Sequence, residues 1–329
     1  MNAPSSVLIE TRRAKILGAA TRDAYGQALV ELGQADPRVV ALDADLSKST
    51  KSGLFAKAFP DRFFNCGIAE ANMISIAAGL ASCGKIPFAS SFASFLLCKG
   101  FDQLRMSVAN PGLNVKVVGS HGGISLGEDG ASQQSVEDFA LACALPKFAV
   151  LSPADEVSCK ALVHLAARHV GPVYIRTGRP KAPRVYDPAE AFTWGKAKRC
   201  AAGSDVTVVA NGLMVWEALV ASDWCAARGI SVAVLDLHTL KPIDTDAIRT
   251  AAEETGAVVT AEEHLREGGG LAGRVAQVLS EYHPVPMVAV GLPDTYAESG
   301  SPEALFEKYG LTAEKIVLAI HAVLARKQR

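Results

Sequence analysis

The sequence lacks the marks of several large protein classes. Its seven cysteines, an odd number, are scattered without a C-x-x-C pair or a zinc spacing. That argues against a disulfide framework and for a reducing cytoplasm. Lys and Arg (33) nearly cancel Asp and Glu (34), and a net charge of -1 gives no case for nucleic acid or an anionic membrane. No apolar run reaches the roughly 18 residues of a membrane helix. Residues 1–15, MNAPSSVLIETRRAK, lack the basic start and apolar core of a signal peptide. The phosphate loops G-x-x-x-x-G-K-[ST] and G-x-G-x-x-G are missing, as are a Ser-His-Asp order and a metal constellation.

What is present is apolar and rhythmic. Hydrophobic residues make up 49% of the 329, enough for two domains or a sizeable subunit interface. Residues 1–13 read as a mobile leader, and the spacing of Leu17, Ala20, Ala24, Ala28 and Leu32 predicts a helix over 14–33. Short strands are predicted at 39–42, 63–65, 87–90, 115–119, 148–151 and 173–176, with helices at 68–83, 92–109, 134–144 and 154–169 between them. That alternation predicts an α/β fold with a parallel sheet flanked by helices. Prolines 180, 183 and 188 break the rhythm, so 177–204 reads as a linker. Strands at 205–210, 230–235, 257–261 and 286–290, with helices between, predict a second, smaller α/β domain over 205–326; the first spans 14–176.

One stretch concentrates the chemistry. Glu70 is the single carboxylate opening a helix whose run Met73–Cys83 carries no charge, so that helix is expected to be buried on every side. A carboxylate there needs a partner to hold its charge. Phe92 and Phe95 follow, placed to face a flat ligand. The plainer reading of Glu70 is an acid favoured by the helix dipole. The loop 120–134, SHGGISLGEDGASQQ, follows an apolar strand, and such loops at strand carboxyl ends bind ligands. It carries His121, Glu128 and Asp129. Arg22, Arg176 and Arg179 are candidates to grip a phosphate bidentately, joined by Ser47, Ser49 and Lys51; taken singly, each reads better as a surface or interface arginine. Lys99 and Arg105 read as structural pairs. Glu262, Glu263 and His264 before Gly268–Gly270 read as an ordinary folded loop.

The chain resembles the C-terminal half of transketolase. The carriers are ATRDAYGQAL (20–29), DADLSKS (43–49), RFFNCGIAEANM (62–73), PFASSFASF (87–95), GEDGASQQSVED (127–138), SPAD (152–155) and YIRTGRP (174–180). DLHTLKPID (236–244), TAEEH with GGGL (260–271) and PDTYAESG (293–300) follow. The resemblance implies a thiamine-diphosphate pyrimidine-binding domain followed by a transketolase C-terminal domain. It looks most like the small subunit of a split, two-gene enzyme moving a two-carbon ketol unit from a ketose (phosphate) to an aldose (phosphate). Glu70 then matches the glutamate that protonates the pyrimidine ring, and Phe92 and Phe95 the aromatic positions around it. Asp45 matches an acid at the cofactor interface. Arg22, Ser49 and Arg176 match an acceptor-phosphate grip, and His121 and Asp129 hydroxyl contacts, His121 being counted with Glu70 as catalytic.

Three positions depart from that pattern. Gln133 stands where a substrate-contacting histidine is usual; it hydrogen-bonds a hydroxyl but shuttles no proton at neutral pH. Cys98 falls where a third aromatic is usual, and Gly122 follows His121 in place of an aspartate. The G-D-G and downstream asparagine that ligate Mg²⁺ in the family are missing. The Mg²⁺ ligands are therefore expected from a companion N-terminal subunit, in an α₂β₂ assembly. The alternatives are the β subunit of a 2-oxoacid dehydrogenase, a deoxyxylulose-phosphate-synthase type, or a non-catalytic structural subunit.

Overall fold

Short apolar strands alternating with helices build two mainly parallel sheets in a computed structural model that describes residues 14–327. The expected leader, 1–13, lies outside the described residues. The chain opens with β1 (Leu17–Ala20), α1 (Thr21–Ala35), β2 (Val39–Asp43), the short helices α2 (Ser47–Thr50) and α3 (Gly53–Ala58), and β3 (Phe63–Asn65). Then come α4 (Glu70–Ser82) and β4 (Ile86–Phe92). A π-helical turn (Phe95–Lys99), the single turn α5 (Phe101–Gln103) and a π segment (Leu104–Ala109) lead to β5 (Lys116–Ser120). After these run α6 (Asp138–Ala144), β6 (Ala149–Leu151), α7 (Glu156–Arg168) and β7 (Val173–Thr177). The second half begins β8 (Lys181–Pro183), β9 (Lys198–Ala201), β10 (Val206–Ala210), α8 (Met214–Ala226), β11 (Val232–Asp236) and β12 (Thr239–Lys241). It closes with α9 (Thr245–Thr255), β13 (Val258–Leu265), α10 (Leu271–Tyr282), β14 (Met287–Leu292), α11 (Pro302–Tyr309) and α12 (Ala313–Lys327).

The first sheet has seven strands in the order β12-β6-β7-β5-β4-β2-β3, and the second five, β14-β13-β10-β11-β9. All pairings are parallel except those of β12 with β6 and β9 with β11. Helices on both faces explain why β2, β4, β5 and β7 are buried at every position, as continuous rather than alternating apolar strands require. The two halves interlock. β12 comes from the second half yet pairs in the first sheet, and one apolar cluster joins Met73 and Leu97 to Val209, Leu235 and Leu271.

The structure departs from the sequence reading in five places. The helix expected over 14–33 starts only at Thr21, because 17–20 pairs instead with β8 and the Ala19 N–H donates to Glu156. The segment 177–204 holds two strands, β8 and β9, one pairing back to β1 and the other edging the second sheet. The helix expected over 92–109 is split into π and α turns at Gly100, where an added Cβ would strike the Leu96 carbonyl. The helix expected over 134–144 begins at Asp138, because Ser135 is used to accept from the Gly123 N–H (2.7 Å). Finally, α4 is not buried on every side: Met73, Ile74, Ala77 and Ala78 face the core, while Asn72, Ser75, Ile76 and Gly79 are exposed. Nothing among the described residues covers that outer face.

Candidate active site

The site is assembled at the carboxyl ends of β2, β4, β5 and β7, where a doubly wound sheet leaves room for a ligand. Asp43, the last residue of β2, shapes the first wall. It accepts from Thr50 Oγ1 (2.7 Å), Ser52 Oγ (2.8 Å) and the Leu46 N–H, fixing the turn that carries Asp45 and Ser49. Burial pushes the Asp43 carboxyl above its usual range, with the two hydroxyls acting against that. Asp45 sits at φ +65°, exposed, bonded through Asn65, whose Oδ1 also takes the Gly67 N–H (3.1 Å). That bond shapes the turn into α4. Sequence reading passed over Asp43; its signal is an acid closing an apolar strand ahead of Ser and Thr.

Glu70 opens α4 with its side chain only 3% exposed. Its oxygens accept from Lys99 Nζ at 3.2 and 3.4 Å, and that ammonium lies 4.0 Å from the Phe95 ring centroid. Phe95 stacks on Phe92 (centroids 5.5 Å apart), and Phe92 lies against the His121 ring at 4.0 Å. His121 holds φ +60°; its Nδ1 meets Ser120 Oγ (2.7 Å) and its Nε2 accepts from Arg22 Nη1 (3.1 Å). The accepting Nε2 puts the ring proton on Nδ1. Burial, reinforced by Arg22, Arg179 and Lys51, pushes the His121 pKa down to about 3, so the imidazole is neutral at physiological pH. Arg22 also donates to the Ser49 carbonyl (3.1 Å). One continuous wall thus runs from a buried carboxylate, across two aromatic rings and a neutral histidine, to a cationic end.

The other expected residues are placed as follows. Gln133 is near this wall, its carbonyl accepting from Ser94 Oγ (3.1 Å) and its Oε1 from Ser132 Oγ (2.7 Å). Asp129 is exposed on the turn beside Gly130. Arg176 is drawn inward: it pairs with Asp138 (3.0 Å) and donates to the Glu263 (2.8 Å) and Ser135 (2.7 Å) carbonyls, with its guanidinium over Phe139. A guanidinium held this way ties the two domains together, while its Nε, without a partner, lines a cleft with Thr21, Gly122 and Thr177. Gly122 and Gly123 let this happen, since a Cβ there would strike Arg176 and Glu263. Glu263, read as part of an ordinary loop, is buried and accepts the Ser125 N–H. Arg179 instead reaches the site loop, bonding the Leu126 carbonyl (2.6 Å) and Glu128 (2.9 Å). Cys98 turns away to Glu137, and Lys99 takes the place beside Phe95.

The pyrimidine half of thiamine diphosphate fits what is present: a buried carboxylate beside a stacked aromatic pair. Among the described residues no group of three or more His, Cys, Asp or Glu stands close enough to hold a metal ion. No helix among them is long and apolar enough to cross a membrane.

Comparison with known proteins bears on this geometry. The transketolase pyrimidine-binding domain family matches residues 18–184, and the transketolase C-terminal domain family matches 195–316. A 6-deoxy-6-sulfo-D-fructose transketolase subunit from Clostridium sp. (strain MSTE9) is 43% identical over 327 residues, 99% of each chain. Human transketolase is 40% identical over 312 residues, 93% of this chain but 49% of its own. A solved structure titled split gene transketolase, inactive beta4 tetramer, is 51% identical with a TM-score of 0.89, covering 94% of this chain and 100% of that one. The chain belongs to the transketolase family of thiamine-diphosphate-dependent ketol transferases and carries its pyrimidine-binding and C-terminal domains.

Proposed function

We propose that the chain is the catalytic C-terminal subunit of a two-chain transketolase, inactive until a companion N-terminal subunit completes its site in an α₂β₂ assembly. The observation that carries this is Glu70, buried close to the stacked Phe92 and Phe95 on a helix whose outer face is uncharged and uncovered among the described residues. Support comes from relatives that are themselves separate subunits aligned over nearly their whole length, one solved alone as an inactive tetramer.

Bound thiamine diphosphate supplies the electron sink that cleaves and forms the carbon–carbon bond. Glu70 holds the aminopyrimidine by a carboxylate oxygen and carries a proton there, in a pocket dry enough to strengthen the bond. Phe92 and Phe95 give the ring a flat wall and exclude water. Mg²⁺ is held by companion residues. Asp45 faces the same interface. His121, neutral, contacts sugar hydroxyls and fixes Arg22; Asp129 and Gln133 add polar contacts from the glycine-rich loop. Arg22, with Ser49 on its turn and Arg179 and Lys51 near, receives an anionic sugar tail, a phosphate or another acid group. Location in the cytoplasm belongs to the same reading.

The test is a two-carbon transfer assay with the co-purified companion, thiamine diphosphate and Mg²⁺, run on a panel of ketose phosphates and other anionic ketoses. Turnover by the mixture, and by neither chain alone, is expected. Cofactor binding and turnover by this chain alone contradicts the reading.

A further inference from the structure

Lys99 bridges Glu70 and Phe95, two of the groups proposed above to hold the cofactor's ring. Its ammonium bonds both oxygens of a carboxylate that is 97% covered and lies flat over the ring that would face the pyrimidine. A flat, nitrogen-bearing heterocycle needs the same two features, a hydrogen-bond donor aimed at Glu70 and contact with the Phe95 face. The residue reaches this spot through a π-helical turn, Phe95–Lys99, a rare geometry concentrated at functional positions. Lys99 is itself 48% exposed along its side chain, so the ammonium has a way out to solvent while Glu70 has none.

We propose that Lys99 is a positioning residue that occupies the pyrimidine site of the unloaded subunit and must swing off Glu70 before the cofactor can engage it. This rests on the cofactor reading of Glu70. In the free chain the ammonium neutralises a buried carboxylate that would otherwise stand uncompensated. On loading, the aminopyrimidine takes over the carboxylate and the ammonium goes to water. Because the pair is half open to solvent, the device slows and weakens loading without forbidding it.

Two measurements test it. In the assembled complex, thiamine diphosphate is titrated by tryptophan fluorescence against wild type, Lys99→Met and Lys99→Arg. Lys99→Met, which keeps the length and drops the charge, should bind roughly fivefold tighter, the size of a partly screened ion pair. Lys99→Arg should bind like wild type. In the free full-length chain, without cofactor, Lys99→Met should melt about 2–4 °C lower, and Lys99→Met with Glu70→Gln should recover most of that loss. Unchanged affinity overturns the proposal, as does weaker binding by Lys99→Met, which would make Lys99 a cofactor contact. Should the wild-type complex bind no thiamine diphosphate, the function reading fails, while the melting comparison still decides whether Lys99 neutralises Glu70.

Discussion

Two helices of this chain read alike in sequence and end differently. Both α4 and α8 are thirteen residues long, carry one or two carboxylates and no basic residue, and are mostly apolar. In α8, ten residues from Met214 to Cys225 are buried, packed between β11 and α12. In α4 only Glu70, Met73, Ile74, Ala77 and Ala78 are, and Ile76 is 38% exposed, with Ile68 at 79% just before the helix. The same composition therefore has two causes. α8 is apolar because its own chain surrounds it. On the proposed two-chain reading, the outer face of α4, with Ile76 and the neighbouring Ile68, is where a second chain sits, in the way exposed apolar patches mark interaction sites.

The comparison can be broken by mutation. Leu219→Asp in α8 puts a charge in a site closed on all sides and should cost more than about 4 kcal/mol, so the chain fails to fold by circular dichroism. Ile76→Asp in α4 should leave the free chain's melting temperature within about 2 °C of wild type. It should nonetheless weaken assembly with the companion at least about 100-fold in size-exclusion titration. If Ile76→Asp unfolds the chain and Leu219→Asp does not, the assignment of the two faces is reversed.

Glu70→Gln should fold and assemble normally but lower kcat in the complex by at least about 100-fold. A loss in KM alone would mean the carboxylate only binds.

A second contrast sharpens the first: α4 guards a carboxylate bonded to a cation, the second domain one bonded to a neutral hydroxyl, with Lys198 acting only from a distance. Asp236 is fully buried, accepts from Tyr186 OH (2.6 Å) and leaves Oδ1 without a partner. Burial pushes its pKa up to about 8, aided by Asp155. A carboxyl raised in the folded state contributes its stability below its unfolded pKa and loses it as pH rises through about 8. Asp236→Asn removes that loss. It should match wild type near pH 4 and be more stable by about 1–3 kcal/mol above pH 8, read from urea unfolding at a series of pH values. Equal pH slopes would show that Asp236 stays ionised. The smallest effect expected is Gln133→His, which should raise activity on common pentose phosphates a few-fold. No change would leave specificity to other residues.

How much of this was legible in the sequence depends on what each residue touches. The burial of Glu70 and the closeness of Phe92 to Phe95 were readable because a lone carboxylate in an apolar helix and two rings three apart are local patterns. The parallel sheet flanked by helices and the second α/β domain followed from alternating strands and helices. Lys99 was read only as one of a structural pair; that its partner is Glu70, across Phe95, rests on a π turn that the sequence does not announce. The inward pairing of Arg176 was hidden too, because it turns on Asp138 and the Glu263 carbonyl, distant in sequence. β1 and β12 were missed for the same reason, since each is only a few residues held by a remote partner. The outer face of α4 could not be told from a core helix, because apolar composition does not say which chain covers it.

The central claim, that this chain supplies the pyrimidine half of a shared site, is tested most directly by reconstitution. Thiamine diphosphate, Mg²⁺ and an anionic ketose with an aldose acceptor are supplied to this chain, to its co-purified companion, and to the two mixed. The account predicts two-carbon transfer only in the mixture, lost when Glu70 is changed to Gln in this chain. Transfer by this chain alone, or by a mixture carrying Glu70→Gln at the wild-type rate, would contradict it.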